Sequence, residues 1–441
     1  MIVLVLVLED EEENEQEKGM TDTPSIGTMA GPTEFGPRTV AGRLDLDTLT
    51  PRAIKRLLMA AECGELSAQA ELFERMEEKD GELDAHLRTR KAGVARLAFQ
   101  VQAADGSPRA REAAELCREV IGELPDLPQA ILDLLDAIPK GFAVQEIQWR
   151  TGRLRWQPVR LIYRPQRWFQ AAEGAAEAEA SAEAEADWAS TGLLLRDSAG
   201  AGRSLNPLNF IVHRVRARSG FQARTGLLRS CVRAFVVRHF AWKDWLAFAE
   251  VYGMPPRIGW LREEVAWDSD EARKLWEAVR ALGMDAAAVV REGNRIEVLD
   301  SRAAGEGTIF ERILDRAGKE LTLAVLGQLL TTGGEQGGSY ALGQVHNQVR
   351  WDLIEADALA LGRTLTSQFL KPVVRLNLGP AYPVPRWHLD AQKPEDLSEL
   401  AATVKTLSEA GLAIPAEWAY AKFGIPQPAE GEPVLGRRQE A

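Results

Sequence analysis

The chain has 441 residues, is 45% hydrophobic and 27% charged, and carries a net charge of −12. That length sets an expectation of roughly two to four domains, and the acidic balance excludes a generic nucleic-acid binder, so any DNA contact has to be local. Three scattered cysteines, Cys63, Cys117 and Cys231, form no CxxC pair, which fits a reducing compartment without a disulfide framework.

The opening MIVLVLVLEDEEENEQEKGM sets seven apolar residues directly against a run of acids. A bilayer span needs about 18 to 20 apolar residues, and a secretory signal needs a basic start, so neither membrane insertion nor targeting is expected. Met20 is an alternative start. Residues 1–44 read as a disordered arm, rich in Gly, Pro and Thr from 20 onward. Helices are expected at 52–61, opened by Thr50-Pro51, then at 66–76, 81–98, 109–121 after Ser107-Pro108, and 128–138, stopped at Gly141.

The period then changes from helical to two. Phe142, Val144, Ile147 and Trp149 read as a strand, and Thr151-Gly152 as the turn of a hairpin. Apolar runs at 159–163, 193–196 and 209–215 make 150–220 β-rich. They are interrupted at 171–187 by an Ala/Glu tract with almost nothing to bury.

The next segment, VRAFVVRHFAWKDWLAFAEVYGMPP, is a helix with a hard stop. At about 100° per residue, Leu228, Cys231, Phe235, Trp242, Leu246 and Ala249 share one stripe, and Arg229, Arg233, Phe240, Lys243 and Asp244 lie across from it. A helix apolar nearly all round, with cations embedded, wants neighbours on several sides, as a packed assembly provides. Downstream, the pattern predicts a strand at 257–260, a helix at 270–282, and strands at 289–290 and 296–299 joined at Gly293-Asn294. It continues with a helix at 308–330, a Gly-rich loop at 331–339, an amphipathic helix at 344–369 and a helical pair at 394–423.

The search for chemistry returns little. Arg316-Ala317-Gly318-Lys319-Glu320 lacks the spacing and the hydroxyl of a phosphate-cradling loop, and Gly200-Ala201-Gly202 precedes no helix start. His86, His213, His239, His346 and His388 show no zinc-ligand spacing. Asp45 and Asp47 read as helix-dipole complements, and Gly337-Gly338-Ser339 falls short of a nucleophile elbow. No catalytic residue, metal or cofactor is expected. A nuclease or hydrolase drawing on Asp45, Asp47 or His213 is the rival from the enzyme class, a smaller ring-forming adaptor the rival from the structural class, and a DNA-binding scaffold is disfavoured by the charge.

Four stretches taken in order, GFAVQEIQW at 141–149, NFIVHR at 209–214, 226–259 with its YGMPP, and ALGQVHN at 341–347, resemble the portal proteins of Mu-like tailed phages and prophages. The resemblance spans about 22–425. It implies an α+β portal fold with helical stem and crown, a β-rich clip and a mixed wing, assembled as a ring, usually of twelve copies, at one capsid vertex. Double-stranded DNA passes through such a ring in packaging and ejection. The implied partners are further copies of the chain, a terminase large subunit that supplies the ATP hydrolysis, the major capsid or scaffold protein, and a head-completion protein. The implied location is the virion, and the host cytoplasm during assembly.

By order, the resemblance makes 45–149 a helical wing region, 150–220 the clip, 221–256 the stem helix, 257–330 wing again, 331–343 the channel-loop region, 344–425 the crown and 426–441 a tail. It turns Phe235, Trp242 and Leu246 inward, and Arg229, Arg233 and Lys243 toward neighbouring subunits or the channel. Arg153, Arg155 and Arg160 would meet the motor, and Gly333, Gly334, Glu335, Gln336, Gly337 and Gly338 would brush the DNA. Sparse cations on an acidic subunit suit a sliding polyanion, which many phosphate contacts would stall.

Overall fold

Thr50 and Pro51 open the first helix as their chemistry requires. Thr50 Oγ1 accepts from Ala53 N at 3.2 Å, and the proline occupies a first-turn position where its missing N–H costs nothing. The computed structural model describes residues 44, 46, 49–151, 155–172, 192–196, 202–215, 222–253, 257–262, 264–281, 287–291, 308–329, 340–391 and 397–428. Helix α1 (Pro51–Glu62) leads to α2 (Leu66–Lys79) and α3 (Gly81–Ala95), and Asp80 caps α3 by accepting from Glu82 N and Leu83 N. Then come β1 (Phe99–Gln102), α4 (Pro108–Gly122) with Ser107 as its cap, α5 (Leu127–Leu134) and the single turn α6 (Ala137–Lys140). The expected helix at 128–138 is thus two pieces. Gly141 closes the second at φ 93°, a backbone conformation side chains resist.

Six strands follow: β2 (Phe142–Thr151), β3 (Trp156–Arg164), β4 (Phe169–Ala171), β5 (Leu193–Arg196), β6 (Gly202–Ser204) and β7 (Phe210–Arg214). Strands β3, β2 and β7 form one antiparallel sheet in that order, with the expected hairpin pairing Thr151 to Trp156; β4, β5 and β6 form another. Strand β2 is buried on both faces. Phe142 and Val144 join Phe169, Leu193 and Phe210 in one core, while Ala143, Ile147 and Trp149, of opposite parity, join the largest one. The described strands of 150–220 therefore line two hydrophobic clusters that meet across the β3–β2–β7 sheet.

Helix α7 (Leu228–Gly253) leads out to β8 (Arg257–Leu261), α8 (Asp270–Ala281) and β9 (Ala287–Arg291), and α9 (Thr308–Leu326) returns. Strands β8 and β9 pair in parallel, so α8 is a crossover. Of the hairpin expected at 289–299, Val289 and Val290 lie on β9 and pair with β8, whereas 296–299 lies outside the described residues, as do 173–187 of the Ala/Glu tract and the loop 331–339.

A long rod follows, α10 (Tyr340–Leu365), a five-residue π-helical segment (Thr366–Leu370) and α11 (Lys371–Asn377). Ile354, Leu361, Leu365, Phe369 and Val373 carry it into the largest core, alongside α4, α5 and Trp149. Strand β10 (Arg386–Leu389) pairs antiparallel with β1. Residues 392–441 form a second unit containing α12 (Leu397–Glu409) and α13 (Ala416–Phe423). Of the segment expected as crown, 344–425, the rod packs into the largest core, and the second unit begins at Gln392. The fold is α+β.

Candidate functional site

Helices α7 and α9 run antiparallel. Near the far end of α7, the Trp245 and Phe248 rings lie 6.4 and 5.7 Å from Phe310, which belongs to the start of α9; near its beginning, Arg233 Nη2 donates to Glu320 Oε2 at 3.1 Å. The first half of α7 is anchored. Leu228, Cys231, Val232, Ala234 and Phe235 are buried against Phe73, Met76 and Leu83 of α2–α3 and Ala317, Leu321 and Val325 of α9. Arg238 marks the limit of that core, pairing with Asp80 at 3.5 Å and with Glu82.

Beyond Arg238 the cover runs out. Trp242 and Leu246, on the same stripe as Phe235, are 47% and 60% exposed, since α2 and α3 do not reach them. Val237 is 45% exposed and lies nine residues from Leu246, about two and a half turns, hence on the opposite side of the helix. It borders a groove of about 670 Å³ shared with Ile309 (53% exposed), Ile313, Arg312 and Arg316. The outer half of the hairpin thus shows two uncovered apolar faces, back to back.

The base of the hairpin is fixed tightly. Gly226 presses on the turn below, where a Cβ would sit 2.6 Å from the Lys140 carbonyl carbon. Lys140 Nζ reaches Asp136 Oδ2 at 2.7 Å and Glu77 Oε2 at 3.1 Å, Lys91 Nζ reaches Asp136 Oδ1 at 3.1 Å, and Gln166 Nε2 donates to Asp136 Oδ2 at 2.9 Å. Two cations and two anions share one buried pocket. Burial pushes the Asp136 carboxyl up, but Lys140 and Lys91 outweigh it and hold the group well below the usual carboxylate range. Burial raises the Glu77 carboxyl against the pull of Lys140.

A family model described as the portal protein of Mu bacteriophage matches residues 70–425. The chain belongs to that portal family. The Mu-like prophage FluMu protein gp29 of Haemophilus influenzae is 32% identical over 398 residues, covering 88% of this chain and 73% of its own. The portal protein of Escherichia phage Mu is 30% identical over 392 residues, with the same two shares. A chain from the virion of a native gene transfer agent particle superposes with a TM-score of 0.52 at 11% identity, over 84% of this chain and 99% of that one. At that identity the likeness is one of fold.

Within the portal subunit the expected residues part company. Phe235 is core, whereas Trp242 and Leu246 are surface in the single chain. Arg229 is largely buried within the protomer, ion-paired with Glu62 and bonded to Gln69 Oε1 at 2.7 Å. Arg233 is 81% exposed and Lys243 is exposed. Arg155 is ion-paired within its own chain, at 3.0 Å from Glu119 of α4 and from Glu123 at its end; Arg160 is exposed on β3 opposite Gln148. Arg153 and 333–338 lie outside the described residues.

Asp45 and Asp47 lie outside the described residues, and His213 is buried, its Nδ1 2.9 Å from Thr364 Oγ1. No group of His, Cys, Asp and Glu among the described residues could hold a metal ion, and no described helix is long and apolar enough to cross a membrane. The buried cluster around Asp136 escaped the sequence reading. Its only local signal is the four-residue spacing of Asp136 and Lys140, whereas Glu77 and Lys91 arrive from distant helices.

Proposed function

We propose that this portal subunit closes with its copies into a ring around a channel for double-stranded DNA at one vertex of a capsid, a structural rather than catalytic role. The observation that carries the reading is the pair of uncovered apolar faces on the outer α7–α9 hairpin. Patches on opposite sides of one element favour head-to-tail contact, which closes into a ring when the rotation permits. The Trp242 and Leu246 ridge of one copy seats in the Val237 and Ile309 groove of the next. Burying such side chains contributes about 1.5 to 3 kcal/mol each, enough in sum to hold copies together.

In this reading the α7–α9 hairpin is the stem, and the β8–α8–β9 lobe carried between its far ends is the clip, in place of 150–220. The terminase large subunit docks on that lobe. The loop 331–339, with Gly333 to Gly338, leads into α10 as the channel loop, and residues 392–441 belong to the crown. Capsid or scaffold protein and a head-completion protein bind the finished ring, of twelve copies, which assembles in the host cytoplasm and ends in the virion.

Cross-linking tests the contact. In a Cys63→Ser background, Val237→Cys and Leu246→Cys are introduced singly and together. Because the two sites face opposite ways they cannot bridge within one chain, so oxidation of the double variant should give a ladder of covalent oligomers, and neither single variant should pass the dimer. A double variant that stays monomeric on a non-reducing gel overturns the contact.

A further inference from the structure

We propose that the outward face of the α10–α11 rod is a contact surface for the phosphate backbone of duplex DNA. In a chain of net charge −12, the stretch between Asp357 and Asp390 contains no acid, yet carries Arg363, Lys371, Arg375 and Arg386. Arg363, Arg375 and Arg386 are exposed and Lys371 is half-exposed, and none of the four makes an ion pair with a described residue. Some other exposed arginines are matched by an acid, as Arg88 is by Asp84 and Arg262 by Glu271.

The π-helical segment aligns these cations. At positions 363, 367, 371 and 375, an uninterrupted α-helix would drift by about 40° per step, or about 120° in all. The wider π turn takes back roughly half of that drift. Arg363, Ser367, Lys371 and Arg375 therefore form one face, with Phe369, Leu370, Val373 and Val374 turned into the core behind them. The face is about 18 Å long, against about 3.4 Å per phosphate along one DNA strand, so it spans several phosphates. Arg386 joins at the side: Gly362 packs so close to β10 that a Cβ would meet Trp387 O at 2.8 Å, and Arg363 and Arg386 each adjoin one of those two contact residues.

Duplex DNA fits this face better than an acidic protein does. No apolar side chain is exposed between 363 and 375, and a protein interface needs apolar or aromatic anchors. A phosphate backbone needs only charge and hydrogen-bond donors. Three or four such contacts hold DNA weakly and release it readily as salt rises. The inference rests on the portal reading only in its choice of polyanion.

The test measures binding of the full-length protein to a mixed-sequence DNA duplex across a salt series, with particle mass recorded in the same samples. Arg363→Glu/Lys371→Glu/Arg375→Glu should weaken binding more than tenfold near 0.1 M salt and flatten the slope of log K against log salt by roughly 2 to 3. The Gln triple at the same positions should show the same direction with less disturbance of the fold. Arg52→Glu/Lys55→Glu/Arg56→Glu, the same charge change on the exposed face of α1, should leave the slope unchanged. Equal effects from the two Glu triples, no effect from either, or polyglutamate binding as tightly as DNA would overturn the proposal. Intact rings with an unaltered slope sink this inference alone; loss of rings in the native protein sinks the portal-ring reading.

Discussion

Gln368 stands against Val212 in place of a strand that is not there. Its Oε1 accepts from Val212 N at 2.6 Å and its Nε2 donates to Val212 O at 3.1 Å, closing the outer edge of β7 with one side-chain amide. Two residues earlier, Thr366 Oγ1 accepts from Trp387 N at 2.9 Å at the outer edge of β10. The π-helical segment therefore covers backbone groups of two sheets from one short stretch, which explains why so irregular a turn lies in the core. Gln368→Leu keeps the volume but leaves a buried donor and acceptor unpaired, at about 1 to 3 kcal/mol each. The unfolding free energy from urea titration should fall by that amount, and the Val212 amide should exchange its hydrogen faster.

His213 makes the body acid-sensitive. Thr364 Oγ1 donates to Ala360 O, so it accepts from His213 Nδ1–H, and Nε2 has no partner among the described residues. Burial lowers the His213 pKa to about 4 from an ordinary value near 6.5. Because the folded value is the lower one, the unfolded chain binds the extra proton, and stability present above pH 6.5 is lost progressively as pH falls toward 4. The loss is on the order of 3 kcal/mol. His213→Gln, which retains a donor toward Thr364, should flatten the dependence of Tm on pH across that window.

Asp136 is the hub of the pocket beneath α7. Asp136→Asn removes the charge facing both Lys140 and Lys91 and leaves them sharing Glu77. Breaking a buried ion pair from one side costs about 3 to 5 kcal/mol, so the variant should unfold at markedly lower denaturant. Asp133→Asn, on the partly exposed side of α5, should change little.

Phe235 and Trp242 share a stripe but not a role. Phe235→Ala opens a cavity in the core between α2, α3 and α9 and should cost about 3 to 5 kcal/mol of subunit stability. Trp242→Glu alters a surface residue of the single chain, so subunit stability should stay within about 0.5 kcal/mol while assembly is lost. Denaturation of dilute subunits, set beside sizing of concentrated ones, separates the two effects.

Local chemistry was legible in the sequence. The caps at Thr50 and Ser107, the alternation along β2, and the course of α7 all follow from neighbours within a few residues. The long-range partners were not. Strand β1 finds β10 across most of the chain, and β9 takes β8 in parallel, because nothing in a short window shows which strand shares an edge. The same holds at the site: Phe235, Trp242 and Leu246 look equivalent on a helical wheel, and only the reach of α2 and α3 divides core from surface. Arg229 and Arg155 look like free cations until Glu62 and Glu119 arrive from elsewhere.

The central claim, that subunits complete one another through the α7–α9 hairpin, is tested most directly by the solution mass of the purified chain together with end-on images of the particles. The account predicts annular particles holding many copies of the 48.6 kDa chain, and a Trp242→Glu/Leu246→Glu variant that runs at the mass of one chain with an unchanged Tm. A native protein that stays at 48.6 kDa across concentration and salt contradicts it.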